Sequence, residues 1–370
     1  SEFHTEVGSF GTSDLSLSHR GETVNAAYGF ALGRLKTDGI SAAAEELGNS
    51  EKDNYENDRF NGRADFYLSE ALSIEVAARF AQGEVESDAP SRTDEVGRSE
   101  KFERVAGRVA GVYEGDKARH SLDIVRYQSE TDELVNFASD SLKEADRDVV
   151  SYRGIFHLTD TQKLVLGAED TTESFTESSK NEIDVASFYA LVQGEFADGL
   201  SATLAIRQDD HSLFGTQETY RFTSAAAVND EVSLRLAYGT GFRAPSLTEL
   251  FLDGYGNQNL KPETSKSSEI GIDWRDDKNR VSLTVFKLSV DDIIGYDPNT
   301  DVNQQIDGRS KVSGLEASIN WSLSDNLSAS GNANYTDSKK PLGNNSGGNQ
   351  REVRVPRLQM SAGTDYTFIQ

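Results

Sequence analysis

The sequence predicts an all-β, antiparallel up-and-down transmembrane β-barrel occupying residues 1–370. One observation behind that prediction is a succession of segments, about ten residues each, in which apolar and polar positions alternate. A second is that the connections are short on one side and long on the other. The third is composition: hydrophobic residues make up 36% of the chain, and mean hydropathy is −0.57. Soluble globular chains carry about 45–50% apolar residues. Disordered chains are also poor in apolar residues, but they lack aromatics, and this sequence has 18 Phe and 13 Tyr. A wall with apolar surroundings on one face and water on the other needs only every second residue apolar.

Charge and cysteine content exclude several classes. The net charge of −25 argues against nucleic acid, because neutralising phosphates requires an excess of Lys and Arg. With no cysteine, disulfide frameworks and thiolate metal sites are excluded. No run of eighteen apolar residues exists, so no membrane-spanning helix is expected. Soluble alternatives are disfavoured: a solenoid because no fixed repeat is visible, and several sandwiches because they seldom keep one-sided loop-length asymmetry over so many hairpins.

In chain order, Gly8–Thr12 reads as a tight turn before a strand from Asp14 to Arg20. After a turn at Gly21-Glu22, Val24, Ala26, Tyr28, Phe30 and Leu32 share one face. A polar stretch from Asp38 to Asp58 precedes a strand from Phe60 to Leu68. Leu72, Ile74, Val76, Ala78 and Phe80 then alternate with polar neighbours, and an acidic loop runs from Glu84 to Glu100. Short turns follow at 114–117, 159–161, 197–199, 229–230, 276–278 and 324–326. Long polar loops are expected near 129–146, 173–182, 209–217, 243–263, 292–303 and 337–350. The count is about eighteen strands. Trp274 and Trp321 fall just before short turns, where an interfacial aromatic girdle belongs.

Enzymatic chemistry is not expected. Gly239-Thr240-Gly241-Phe242-Arg243-Ala244 mimics a dinucleotide fingerprint, but Pro245 follows and no crossover helix is present. The five histidines are scattered, and no nucleophile elbow or phosphate loop occurs. Asp53, Asp58, Asp88 and Asp94 offer hard oxygen ligands of the kind calcium takes, set against the bland reading of solvated acidic loops.

The connection between the strand ending near Tyr238 and the one containing Ile270, Ile272 and Trp274 carries a recognisable pattern. Tyr238-Gly239-Thr240-Gly241-Phe242-Arg243-Ala244-Pro245-Ser246-Leu247-Thr248-Glu249-Leu250, followed by Gly256-Asn257-Gln258-Asn259-Leu260-Lys261-Pro262-Glu263, resembles the barrel signature of TonB-dependent outer-membrane receptors. Glu6–Thr12 and Val355-Pro356-Arg357 resemble early and late parts of the same barrel. The resemblance implies a barrel of about twenty-two strands with a plugged lumen. This sequence would then lack the plug and about four closing strands. It further implies the outer membrane of a Gram-negative bacterium, nutrient import, and coupling to the TonB energy complex through the plug.

Gly33–Ala43 and Asn49–Arg59 look most like vitamin B12 (cobalamin) receptors, with ferric siderophore as the alternative cargo. Asp53, Tyr55, Tyr255 and Asn257 are the ligand-contact candidates, and the cobalamin resemblance supports calcium in the acidic loops. Within the signature, Arg243 and Glu249 are expected to pair with each other, and Thr248–Phe251 to form one turn of helix. The rival classes are a passive porin and an adhesin or purely structural barrel.

Overall fold

A computed structural model describes residues 1–41, 52–87, 98–341 and 349–368. The described residues form nineteen strands of antiparallel sheet and one short helix. No helix among them is long and apolar enough to cross a membrane. Contacts divide the chain into two compact units, Ser1–Gly154 with Gly167–Ala186, and Ile155–Leu166 with Ser187–Gln370.

The first unit holds β1 (Glu2–Val7), β2 (Ser13–Thr23), β3 (Ala26–Thr37), β4 (Tyr55–Tyr67), β5 (Leu72–Glu86), β6 (Ser99–Glu114) and β7 (Ala118–Val135). Each pairs with the next, antiparallel and in sequence order. Leu32, Phe60, Phe80 and Val105 stand directly opposite one another across β3 to β6. Residues on one face of adjacent strands form such rows because side chains alternate with period two. The strands β8 (Ala138–His157), β9 (Gln162–Thr176) and β10 (Lys180–Ala197) are shared between the units.

The second unit continues with β11 (Leu200–His211), β12 (Gly215–Ala227), β13 (Val232–Arg243), α1 (Leu247–Phe251), β14 (Glu263–Arg275), β15 (Arg280–Asp297), β16 (Val302–Ser324), β17 (Leu327–Pro341), β18 (Asn349–Arg351) and β19 (Leu358–Tyr366). Its apolar row is Leu236, Ile270, Val285, Leu315, Tyr335 and Leu358. Ile270 is 63% exposed and the whole row lies open. A stripe of large apolar side chains left uncovered over six strands suits lipid rather than water. The opposite face carries Arg235, Gly271, Thr284, Glu316 and Asn334 in register. There Arg235 binds Asp273 and donates to Ser282 Oγ at 3.1 Å and Thr284 Oγ1 at 3.2 Å. A Cβ at Gly271 would fall 2.9 Å from that guanidinium, so glycine lets the arginine lie across β14.

Trp274 and Trp321 stack with centroids 5.7 Å apart, and Trp274 Nε1 donates to Glu231 Oε2 at 3.0 Å. Both sit one strand end from a short turn, as the girdle reading requires.

Four details differ from the sequence reading. The strand tally is nineteen rather than about eighteen, because the three-residue β18 pairs with the end of β17. The turn placed at Gly21-Glu22 lies at Val24-Asn25, where Thr23 Oγ1 accepts from the Ala26 amide at 3.1 Å. The loop expected near 129–146 is instead strand, with β7 and β8 separated only by Asn136 and Phe137, both at positive φ. Those at 173–182, 209–217 and 292–303 are likewise cut to short turns. The physical reason is that both faces of a ribbon standing in water tolerate polar residues, so alternation fades while the ladder continues. Cross-strand polar pairs hold it, such as Gln128 Nε2 to Asp146 at 3.0 Å and Ser139 Oγ to Asp132 at 2.6 Å.

Candidate functional site

The connection from β13 to β14 is the one long described segment that is built rather than strand-paired. Pro245 cannot continue the ladder and is fully buried. Ser246 then caps α1: its Oγ accepts from the Glu249 amide at 3.2 Å, and the Ser246 amide donates to Glu249 Oε2 at 2.8 Å. A reciprocal capping box of this kind lets so short a helix persist. Leu247, Leu250 and Leu260 are buried as well. The loop therefore has a small core of its own. Gly254 turns the chain at φ +80°, and a Cβ at Gly256 would meet Leu250 O at 2.7 Å and Phe251 N at 2.8 Å. The backbone closes tightly there because position 256 has no side chain.

Arg243 locks the base of this structure. It grips Glu263 with Nε and Nη2, both at 3.0 Å, and Glu249 with Nη1 at 2.8 Å. Glu263 also accepts from the Ile294 amide at 2.7 Å. A planar five-donor fork suits this double grip, and a lysine could not reproduce it. Burial, the largest single influence, pushes both carboxyls up, but the bonds and charge of Arg243 together with the Ser246 amide on Glu249 and the Ile294 amide on Glu263 outweigh it. Both therefore titrate below the ordinary glutamate value, while the Arg243 guanidinium is raised, by Glu263 first and Glu249 second. The expected pair of Arg243 with Glu249 is present, and the expected helical turn is α1.

The loop is stitched to the first residues of β16. Asn257 Nδ2 donates to Asn303 O at 2.8 Å, while the Asn303 amide and Nδ2 donate to Tyr255 O at 3.0 and 3.2 Å. The Lys261 amide donates to Gln305 Oε1 at 2.8 Å. Asn257 Oδ1 also accepts from the Asn259 amide at 3.0 Å. Asn257 thus uses both ends of its amide on the scaffold. Tyr255 keeps an exposed ring, 6.4 Å from that of Tyr296.

The other candidates lie in the first unit. Tyr55 opens β4 opposite Thr37 and Val85. Asp58 pairs with Arg34 at 3.6 Å, and Asp53 precedes β4 beside Lys52, which binds Asp38 at 3.2 Å. Asp88 and Asp94 lie outside the described residues. A recess of about 470 Å³ nearby is lined by Glu56, Asp58, Glu84, Glu103, Glu130 and Asp132, with Lys101. Among the described residues, no three His, Cys, Asp or Glu side chains are grouped to hold a metal ion.

Sequence reasoning passed over Tyr296, Asn303 and Gln305. Tyr296 and Asn303 lie in a stretch taken as loop, with Gln305 just beyond it, and the partners of Asn303 and Gln305 in the β13–β14 connection are more than forty residues away in sequence. The signal that could have found them is hairpin register, since Tyr296 and Asn303 are cross-strand neighbours.

Strands with an uncovered apolar stripe on one face, a polar wall on the other and a locked loop beyond their ends define a membrane-spanning β-barrel component. The chain belongs to the TonB dependent receptor-like, beta-barrel family, whose model matches residues 3–370. Its relatives are receptors and transporters rather than enzymes. It is 24% identical over 306 residues to the vitamin B12 transporter BtuB of Photobacterium profundum, covering 80% of this chain and 49% of that protein. The siderophore receptor PirA from Acinetobacter baumannii superposes with a TM-score of 0.75 at 16% identity, over 99% of this chain and 65% of that one. A mutant ferric enterobactin receptor from Pseudomonas aeruginosa gives 0.74 at 17% identity, over 98% and 64%. The chain thus spans about half the length of the curated relative and under two thirds of the solved ones.

Proposed function

We propose that this chain is the barrel portion of a Gram-negative outer-membrane receptor that captures cobalamin at its extracellular loops and imports it with TonB-derived energy. The observation that carries the cargo is the sequence likeness to a vitamin B12 transporter across 80% of the chain. Electrostatics supports it. The six carboxylates around the first-unit recess, on a chain of net charge −25, set up a negative field that repels anionic ferric complexes and leaves a neutral corrinoid unopposed. The barrel's own share is a polar wall and a rigid loop platform; no covalent step is involved. Ferric siderophore is the second reading, supported by the solved receptors of this fold, although one fold serves many cargoes.

Equilibrium binding of cyanocobalamin to the full-length receptor tests the proposal, run with calcium and with a chelator beside a ferric catecholate and a ferric trihydroxamate. Saturable binding of cyanocobalamin alone is expected, tightened by calcium if the Asp53, Asp58, Asp88 and Asp94 region binds it. Binding of a ferric complex alone replaces the cargo. A large open conductance from the intact receptor replaces the receptor reading with a porin.

A further inference from the structure

The geometry points to Tyr255 and Tyr296 as a preorganised platform on which the flat ring face of the cargo rests. This inference deepens the reading above and rests on its cargo-capture role. Exposed tyrosines within the strand rows are explained by lipid contact, but these two are not in those rows. Tyr255 lies in the connection between β13 and β14, and Tyr296 is next to the last residue of β15. The two residues are 48% and 52% exposed. Two neighbouring aromatic side chains left open to water offer apolar surface that a bound molecule can cover.

They are also held still, and held together. Asn303 is the hub: it is the cross-strand partner of Tyr296, and its amide and side chain both donate to the Tyr255 carbonyl. Asn257 returns a bond to the Asn303 carbonyl at 2.8 Å. Behind Tyr255, the tight closure at Gly256 and the buried Leu250 and Leu260 fix the backbone. The Tyr296 hydroxyl is tied to Asp301. A contact surface whose parts are already ordered loses less conformational entropy on binding.

Chemistry narrows the occupant. The carboxylates beside the pair are already engaged: Asp301 takes the Tyr296 hydroxyl, and Asp297 accepts from the Asn299 amide and side chain at 3.0 and 2.8 Å. The site offers aromatic surface with the Asp301 carboxylate at its edge. The rings lie 6.4 Å apart at their centroids and are tilted by 35° to one another, making one exposed aromatic surface. That surface fits a rigid planar ring system with polar substituents at its edge, such as a corrinoid, better than a small hydrated ion.

The test is cyanocobalamin binding to the full-length receptor carrying Tyr255→Ala, Tyr296→Ala, both, or the corresponding Phe replacements. Each alanine is expected to weaken binding roughly three- to tenfold, the scale of one aromatic contact, and each phenylalanine less than about twofold. Unchanged electrophoretic heat-modifiability establishes that the variants fold. Wild-type affinity in the double alanine variant overturns the platform while leaving the cobalamin reading intact. If the unmodified receptor does not bind cyanocobalamin, the cargo reading fails instead, and the same variants are compared on a ferric catecholate and a ferric trihydroxamate. Alanine-sensitive binding of the ring-bearing catecholate sustains the platform. Insensitive catecholate binding, binding of the ringless trihydroxamate alone, or binding of neither overturns it.

Discussion

At Arg243 a single guanidinium ties the cap of α1 to the first residue of β14, and this arrangement has a defined pH signature. Glu249 and Glu263 are both held below the ordinary glutamate value of 4.5. A carboxyl depressed in the folded state binds fewer protons there than when unfolded, so stability rises with pH across that interval. Their contribution is complete above 4.5 and is lost as pH falls through the depressed values. The raised Arg243 works in the other direction: its contribution is fully present below the ordinary arginine range, so it is undiminished over the whole acid range. Amide protection factors across 244–262 should therefore be flat from pH 7 to about 5 and fall below that. Arg243→Lys should flatten the fall by removing its cause; a profile identical to the parent would refute the assignment.

Among the elements, the β13–β14 connection depends on one absence of a side chain. Gly256→Ala would drive a methyl group into the Leu250 carbonyl and Phe251 amide, which are backbone and cannot swing aside. The expected penalty is about 1–3 kcal/mol, as for overpacking elsewhere, seen as faster exchange in 247–257 with the β14 and β15 ladders unaffected. Equal exchange in both proteins would show that the closure is softer than the contacts imply. This connection was largely legible from residues alone, because Ser246, Glu249, Pro245 and the glycines each have a local geometric meaning. The neighbouring turn was not legible. Tyr296 to Asn303 looks like loop because both faces of the ribbon there meet water, and nothing local to Asn257 shows that it bonds Asn303.

Across the whole molecule, function divides by face. The rows of Ile270, Val285 and Leu315 on one side and Thr284 and Ser282 on the other follow from period-two alternation, which is why the fold class could be read at once. The same division predicts unequal tolerance. Ile270→Arg should destabilise the membrane-inserted protein by about 2–4 kcal/mol if the residue lies near the bilayer midplane. Ser282→Arg, on the polar wall, should cost much less, and urea unfolding in lipid vesicles compares the two. Equal penalties would mean the faces had been assigned wrongly. Cargo is a different matter: Tyr255 and Asp53 are common residue types, and no alternation or spacing marks what touches them. The proposed recognition surface is made of segments brought together by partners remote in sequence.

The stacked pair Trp274 and Trp321 has an optical consequence. The chain contains only 2 tryptophans, and both occupy one spot beside the short turns. Intrinsic emission excited at the red edge is thus a point reading, not an average over the molecule. Two indoles 5.7 Å apart and 22° from parallel couple as an exciton pair, giving a circular dichroism couplet that exists only when β14, β15 and β16 are in register. Brominated lipids of graded depth would quench that same emission and measure how far the spot lies from the centre of the bilayer. The protein carries its own depth gauge and its own register alarm in one pair of side chains.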